Sequence, residues 1–130
     1  MSVTHSVAFR QAVGDLMTST LSTTAKLKFR ISPSSAASPG TAAATLAMDN
    51  PAFGASNGSG VSTAGTITSD TTATGNASPV AYATLETGAG TVVVHCAVAA
   101  SASVINLSGP LTIGAGDTVS CSSLTYTAMP

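Results

Sequence analysis

The sequence predicts a mainly β protein: an antiparallel β-sandwich or jelly-roll-like barrel with one N-terminal α-helix. Three observations carry this. Hydrophobic periodicity is helical only at the start of the chain and has period 2 from Lys26 onward. Turn residues then break the chain at short intervals, leaving roughly seven or eight short strand-like runs. A chain of 130 residues also makes one domain with a modest core.

Residues 3–21, VTHSVAFRQAVGDLMTSTL, read as the helix. Val7, Phe9, Ala12, Val13, Leu16 and Met17 recur at helical spacing as one apolar stripe. Ser2 or Thr4 is the expected cap, and the Thr/Ser run at 18–24 the expected end. Gly14 costs up to about 1 kcal/mol relative to Ala inside a helix, so the helix needs tertiary packing to persist. Residues 1–24 are therefore read as helix and linker, and 25–130 as the β-sandwich, within a single domain. The stripe has two possible partners, the chain's own sandwich or a neighbouring subunit. The second is the expectation, with a β domain that folds without residues 1–24.

In KLKFRIS, Leu27, Phe29 and Ile31 share one face and Lys26, Lys28 and Arg30 the other, the pattern of a half-buried strand. SPSSAASPG (32–40) is a turn-rich loop, and AATLAM (43–48) a short strand ended by Asp49-Asn50-Pro51. GASNGSG (54–60) is a loop and VSTAGTITS (61–69) a Thr-rich strand. VAYATLE and TVVVHCAVA flank TGAG as a hairpin in which Gly88 and Gly90 supply positive φ. SVINL and LTI follow, then a turn at 114–117 and a long last strand. There Val119 and Cys121 are in one phase and Leu124 and Tyr126 in the other, so a bulge near Ser122-Ser123 is expected. The expected core is Leu27, Phe29, Ile31, Leu46, Val92, Val94, Cys96, Val98, Val119, Cys121 and Leu124.

Composition narrows the function. Ser and Thr supply 39 residues and Ala 23, while charged residues are only 7% and Trp is absent. A surface of short hydroxyl and methyl groups loses little side-chain entropy when another protein covers it. A net charge of -1 gives copies little reason to repel one another. Both favour work inside an assembly. Four basic residues against five acidic ones make no footprint for nucleic acid. The most apolar run, TVVVHCAVAASASVINL, is too short and too interrupted for a membrane span. No secretory signal is recognised, so synthesis in the cytoplasm is expected.

Catalytic and metal-binding patterns do not emerge. His5 and His95 lie in different elements, and Cys96 and Cys121 at this spacing match no zinc motif and read as buried free thiols. The acidic residues Asp15, Asp49, Asp70, Glu86 and Asp117 are scattered, without paired carboxylates. No enzyme, cofactor or metal is expected. Lys26, Lys28 and Arg30, three of the four basic residues, are the remaining candidates. They are either charges guarding an edge strand or a docking patch for an acidic partner. The helix residues Val7, Phe9, Val13, Leu16 and Met17 are a second docking candidate.

Several segments together carry a resemblance: SVAFRQAVGDLM, KLKFRIS, ATLAMDNPAFGAS, GVSTAGTITSDTTATGNAS and INLSGPLTIGAGDTVSCSSLTYT. In this succession the chain resembles a family of small virion proteins encoded among tailed-bacteriophage structural genes. The resemblance implies a structural protein of the particle, a decoration or cement protein on the outer capsid surface. Its implied partners are the major capsid protein and further copies of itself. Cys96 and Cys121 depart from the family pattern, and no functional residue carries over. The alternatives are a tail-tube or tail-tip component, and a carbohydrate-binding module. The latter is weakened because sugar platforms need exposed aromatic faces and only two Tyr and no Trp are present.

Overall fold

The computed structural model describes residues 2–128. Among the described residues one helix, α1 (Val7–Leu21), precedes eight strands: β1 (Lys26–Ile31), β2 (Ala42–Met48), β3 (Val61–Thr63), β4 (Ile67–Thr68), β5 (Val80–Glu86), β6 (Val92–Ala99), β7 (Ile105–Asn106) and β8 (Thr125–Thr127). The predicted class holds: the protein is mainly β with one N-terminal helix, and its large sheet is curled. That sheet runs β4-β2-β1-β5-β6-β7, and a separate two-stranded ladder joins β3 to β8. Neighbours are antiparallel except β7, which runs parallel to β6, so the large sheet is mixed.

β1 occupies the middle of this sheet, paired with β2 on one side and β5 on the other. The edge-strand reading of its three basic residues is thereby overturned. Alternation still sorts its side chains, with Leu27 and Phe29 facing the core. The expected strand at 61–69 divides into β3 and β4, because Ala64 bridges to Phe53 between them. The long last strand is also corrected. Val119 makes an isolated bridge to Asp70, and only 125–127 forms a ladder. Residues 111–113 are not a strand, although the Leu111 and Ile113 carbonyls accept from the Val80 and Asn76 amides.

The core contains Leu27, Phe29, Leu46, Val98 and Val119 as expected. Ile31, Val92, Val94, Cys96, Cys121 and Leu124 are only half-buried. Most of these belong to β6 or to the C-terminal segment facing it, where the sheet is thinly covered. The missing volume is supplied by Leu21, Phe53, Val80, Leu85, Ile113 and a set of buried alanines that includes Ala43, Ala44, Ala52 and Ala83. An alanine-lined interior lets layers approach closely and leaves little tolerance for added volume.

α1 starts later than expected. Ser6 rather than Ser2 or Thr4 is its cap, accepting the Phe9 amide on Oγ at 3.2 Å. Its orientation is the larger surprise, since it buries Gly14, Met17 and Leu21 rather than the richest apolar stripe. Gly14 explains this: a Cβ there would collide with the Ser56 side chain. The bare backbone lets the helix settle onto residues 56–62, where polar contacts hold it. Gln11 Nε2 donates to the Ser56 carbonyl at 3.3 Å, and the Ser56 amide donates to Asp15 Oδ1 at 2.8 Å. Ser56 Oγ and Ser62 Oγ close a buried pair at 2.6 Å. With Met17 and Leu21 inside the core, α1 is integral to the domain.

Candidate functional site

Three features outside the ordinary core merit a chemical reading: a buried charge network, an exposed helix face and a cleft.

The network lies on the polar face of β1 and β5. Antiparallel register sets Lys28 opposite Thr84, with Lys26 opposite Glu86. Arg30 is 6% exposed and Glu86 1% exposed. Arg30 Nη2 meets Glu86 Oε2 at 2.5 Å, and its Nε donates to Thr84 Oγ1 at 3.1 Å. Its Nη1 donates to the Gly40 carbonyl, so the 32–40 loop returns over this face. Thr84 Oγ1 donates in turn to Glu86, and Lys28 Nζ stands 3.3 Å from Glu86 Oε1. Burial pushes the Glu86 carboxyl up. The hydrogen bonds from Arg30 and Thr84, the Arg30 charge and the Lys28 contact outweigh it and leave the group below its ordinary value. A buried carboxylate so fully partnered is a structural anchor, and Glu86 lines neither of the clefts described below.

The docking expectation is corrected for Arg30, and Lys28 is drawn into the same network. Arg30 is enclosed, and Lys28 is engaged with the same carboxylate; Lys26 is half-buried beside them. Sequence reasoning missed Glu86 as their partner, because nothing local indicates that β5 pairs with β1.

The helix face is the reverse case. Val7, Phe9 and Leu16 are half or more exposed, at 50%, 51% and 62%. On a helix of 3.6 residues per turn, Phe9, Ala12 and Leu16 fall within about 60° of one another and roughly opposite Gly14 and Leu21. The His5 ring lies against Phe9 with centroids 5.6 Å apart. No formally charged side chain belongs to this face, since Arg10 and Asp15 point elsewhere. Of the five predicted docking residues, Phe9 and Leu16 stand on this face, Val7 is half exposed on the opposite side next to Gly58, and Val13 is half-buried. Met17 belongs to the protein's own core, which corrects its assignment.

The cleft, of about 340 Å³, opens between β1, β5 and β6 and the segment ending in β8, lined chiefly by Leu27, Leu85, Val94, Cys96, Leu124 and Tyr126. A second hollow of about 330 Å³ shares Val104, Ile105, Leu124 and Thr125 with it. Neither is lined by His, Lys, Arg, Asp or Glu. Both cysteines are free and half-buried rather than fully enclosed. Burial pushes both thiols up, more than the hydrogen bonds to the Ala83 and Ser123 carbonyls pull them down, so neither is poised as a thiolate.

Ser34 Oγ and His95 Nε2 lie 3.0 Å apart, and Tyr82 stacks on the same imidazole at 5.0 Å. Among the described residues no carboxylate hydrogen-bonds this ring, and neither residue lines one of the clefts described above, so the pair has the form of a loop tether. Among the described residues, no three His, Cys, Asp or Glu side chains converge on a metal-sized site.

Comparison of the chain with protein-family models, with curated proteins and with solved structures returns no match.

Proposed function

We propose that this protein is a non-enzymatic structural component of a tailed-bacteriophage particle, a decoration or cement protein seated on the outer surface of the capsid shell. One observation carries the reading furthest: the neutral apolar face of α1, with Phe9 and Leu16 standing outside a core that is already complete without them. Contiguous exposed apolar surface rimmed by polar residues marks a protein contact, and the absence of formal charge on this face suits a neutral apolar patch on the shell protein. The Ser/Thr/Ala-rich surface supports the same reading, because it can be covered at low entropic cost. Repetition over a shell makes weak individual contacts sufficient.

The test is binding of the purified protein to shells assembled without it, followed by a particle map. Wild-type protein should decorate shells, and the Phe9→Ser/Leu16→Ser double variant should retain its melt and fail to bind. Density at the tail, or unimpaired decoration by the double variant, would overturn the reading.

A further inference from the structure

The chain has four asparagines, Asn50, Asn57, Asn76 and Asn106, and the fold treats them differently. The side-chain carbonyl of an asparagine is an electrophile one ring closure away from the backbone nitrogen of the next residue. Attack by that nitrogen needs an amide hydrogen free of other bonds and no side chain crowding it. It also needs donors on the carbonyl oxygen, ready for the negative charge that develops there. Asn50 fails at once, because Pro51 has no amide hydrogen. Asn106 fails twice: the Leu107 amide is held by the Ala99 carbonyl at 2.9 Å, and Asn106 Nδ2 donates to the Ser103 carbonyl at 3.3 Å. Asn76 Oδ1 has one donor, the Ser78 amide at 2.9 Å, and the methyl group of Ala77 stands beside the attacking atom.

Asn57 meets every condition. Its Oδ1 accepts from the Ser59 amide at 2.9 Å and from the Val61 amide at 3.1 Å. These two donors polarise the carbonyl and already point at the oxygen that becomes an oxyanion during attack. Among the described residues, no hydrogen bond engages the Gly58 amide, and glycine has no side chain to crowd it. The turn is held through other atoms: the Asn57 amide donates to the Val61 carbonyl and the Gly60 amide to the Asn57 carbonyl, both at 2.9 Å. Asn57, Gly58 and Ser59 are exposed, so water reaches the site.

We infer that Asn57-Gly58 is a self-modification site, at which the chain converts its own asparagine to aspartyl and isoaspartyl residues. The Gly58 nitrogen gives up its proton and attacks Asn57 Cγ, forming the carbon–nitrogen bond of a succinimide ring. The bond from Cγ to Nδ2 breaks, and Nδ2 takes up a proton and leaves as ammonia. Water then opens the ring at either carbonyl. Opening at Cγ restores the ordinary main chain and leaves an aspartate. Opening at the Asn57 main-chain carbonyl leaves Gly58 attached through Cγ, an isoaspartyl linkage that adds a methylene to the backbone. Either product gains a carboxylate within the 56–62 loop on which α1 rests. Water is the only co-reactant, and nothing in the step depends on the particle reading.

The test is peptide mass mapping of the full chain after incubation at neutral to mildly alkaline pH. The peptide containing Asn57 should gain the mass of an amino-to-hydroxyl exchange and resolve into aspartyl and isoaspartyl forms. Its rate should rise with pH, because the attacking nitrogen must lose its proton, and the peptides containing Asn76 and Asn106 should lag behind. Gly58→Ala isolates the attack. A Cβ there meets only the Val7 side chain, at an ordinary 3.5 Å, and the backbone is not in the positive-φ region. That variant should keep the wild-type melt and convert about tenfold more slowly. The unmodified wild-type chain in denaturant at the same pH gives a second reading, which needs no variant: folding should not slow conversion at Asn57, because the Ser59 and Val61 amides hold and polarise its carbonyl. Conversion about tenfold slower in the folded chain than in denaturant overturns the inference. So does conversion of Gly58→Ala at the wild-type rate, or a product without the isoaspartyl form. Shell binding enters none of these measurements, so this site and the proposed function can fail separately.

Discussion

The polar face of β1 and the outer face of α1 invert the usual distribution of side chains. Arg30 and Glu86, two of the chain's few charges, are enclosed between strands and the 32–40 loop, while Phe9 and Leu16 stand in solvent. Each inversion has its own cause. The charges are tolerated inside because guanidinium and carboxylate satisfy each other and the Thr84 hydroxyl and Gly40 carbonyl complete the set. The apolar residues are outside because the helix docks through Gly14, and its largest side chains consequently point away. Burial here follows from partners and close approach more than from residue type.

The largest effect should come from breaking the charged region. Glu86→Ala leaves Arg30 buried without its counter-ion and should cost about 3–5 kcal/mol, read by denaturant unfolding. Lys28→Ala, at the solvent side of the same network, should cost no more than about 1 kcal/mol. Comparable losses for the two would mean that Arg30 reaches water.

Adjacent helix positions give the next contrast. Met17→Ala removes core volume and should cost about 2–5 kcal/mol, whereas Leu16→Ala should change stability by less than about 0.5 kcal/mol. Equal effects would place the helix the other way round. Gly14→Ala forces the Ser56 contact to shift and should cost about 1–3 kcal/mol in spite of alanine's better helix propensity.

Acid sharpens the comparison further. Because the Glu86 carboxyl titrates lower in the folded protein than in the unfolded chain, its stabilising contribution is fully present above the ordinary carboxylate value. It is lost as pH falls through the lowered folded value. Wild-type protein should therefore lose stability over that acidic range, and the dependence should be shallower in Glu86→Gln. An identical pH profile in the two proteins would remove Glu86 as the cause. The smallest expected effect is on the outer helix face: Phe9→Ser should leave the melting temperature nearly unchanged while weakening shell binding.

Much of this fold was legible in the chain. The alternation in KLKFRIS identified β1, and the TGAG turn located the hairpin joining β5 and β6. The helical spacing from Val7 to Met17 identified α1. Where a segment lacks alternation, as in LTIGAGDTVSCSSL, isolated bridges stand in place of the predicted strand, and period alone had no means of separating the two. The candidate surfaces were less legible. Phe9 and Leu16 were correctly singled out with Met17, yet one stripe contained both exposed and buried members. The basic triplet was conspicuous, and its partner lay 56 residues along the chain from Arg30.

By itself the sequence determined the local periods, the turn positions and the scarcity of charge, because each is written in neighbouring residues and needs no knowledge of what lies across the fold. Tertiary structure alone decided which side of α1 faces inward, that β1 is central and that Arg30 is enclosed by Glu86. These depend on contacts between distant segments, where a missing side chain at Gly14 or one carboxylate at Glu86 settles an orientation that hydrophobic patterning leaves open.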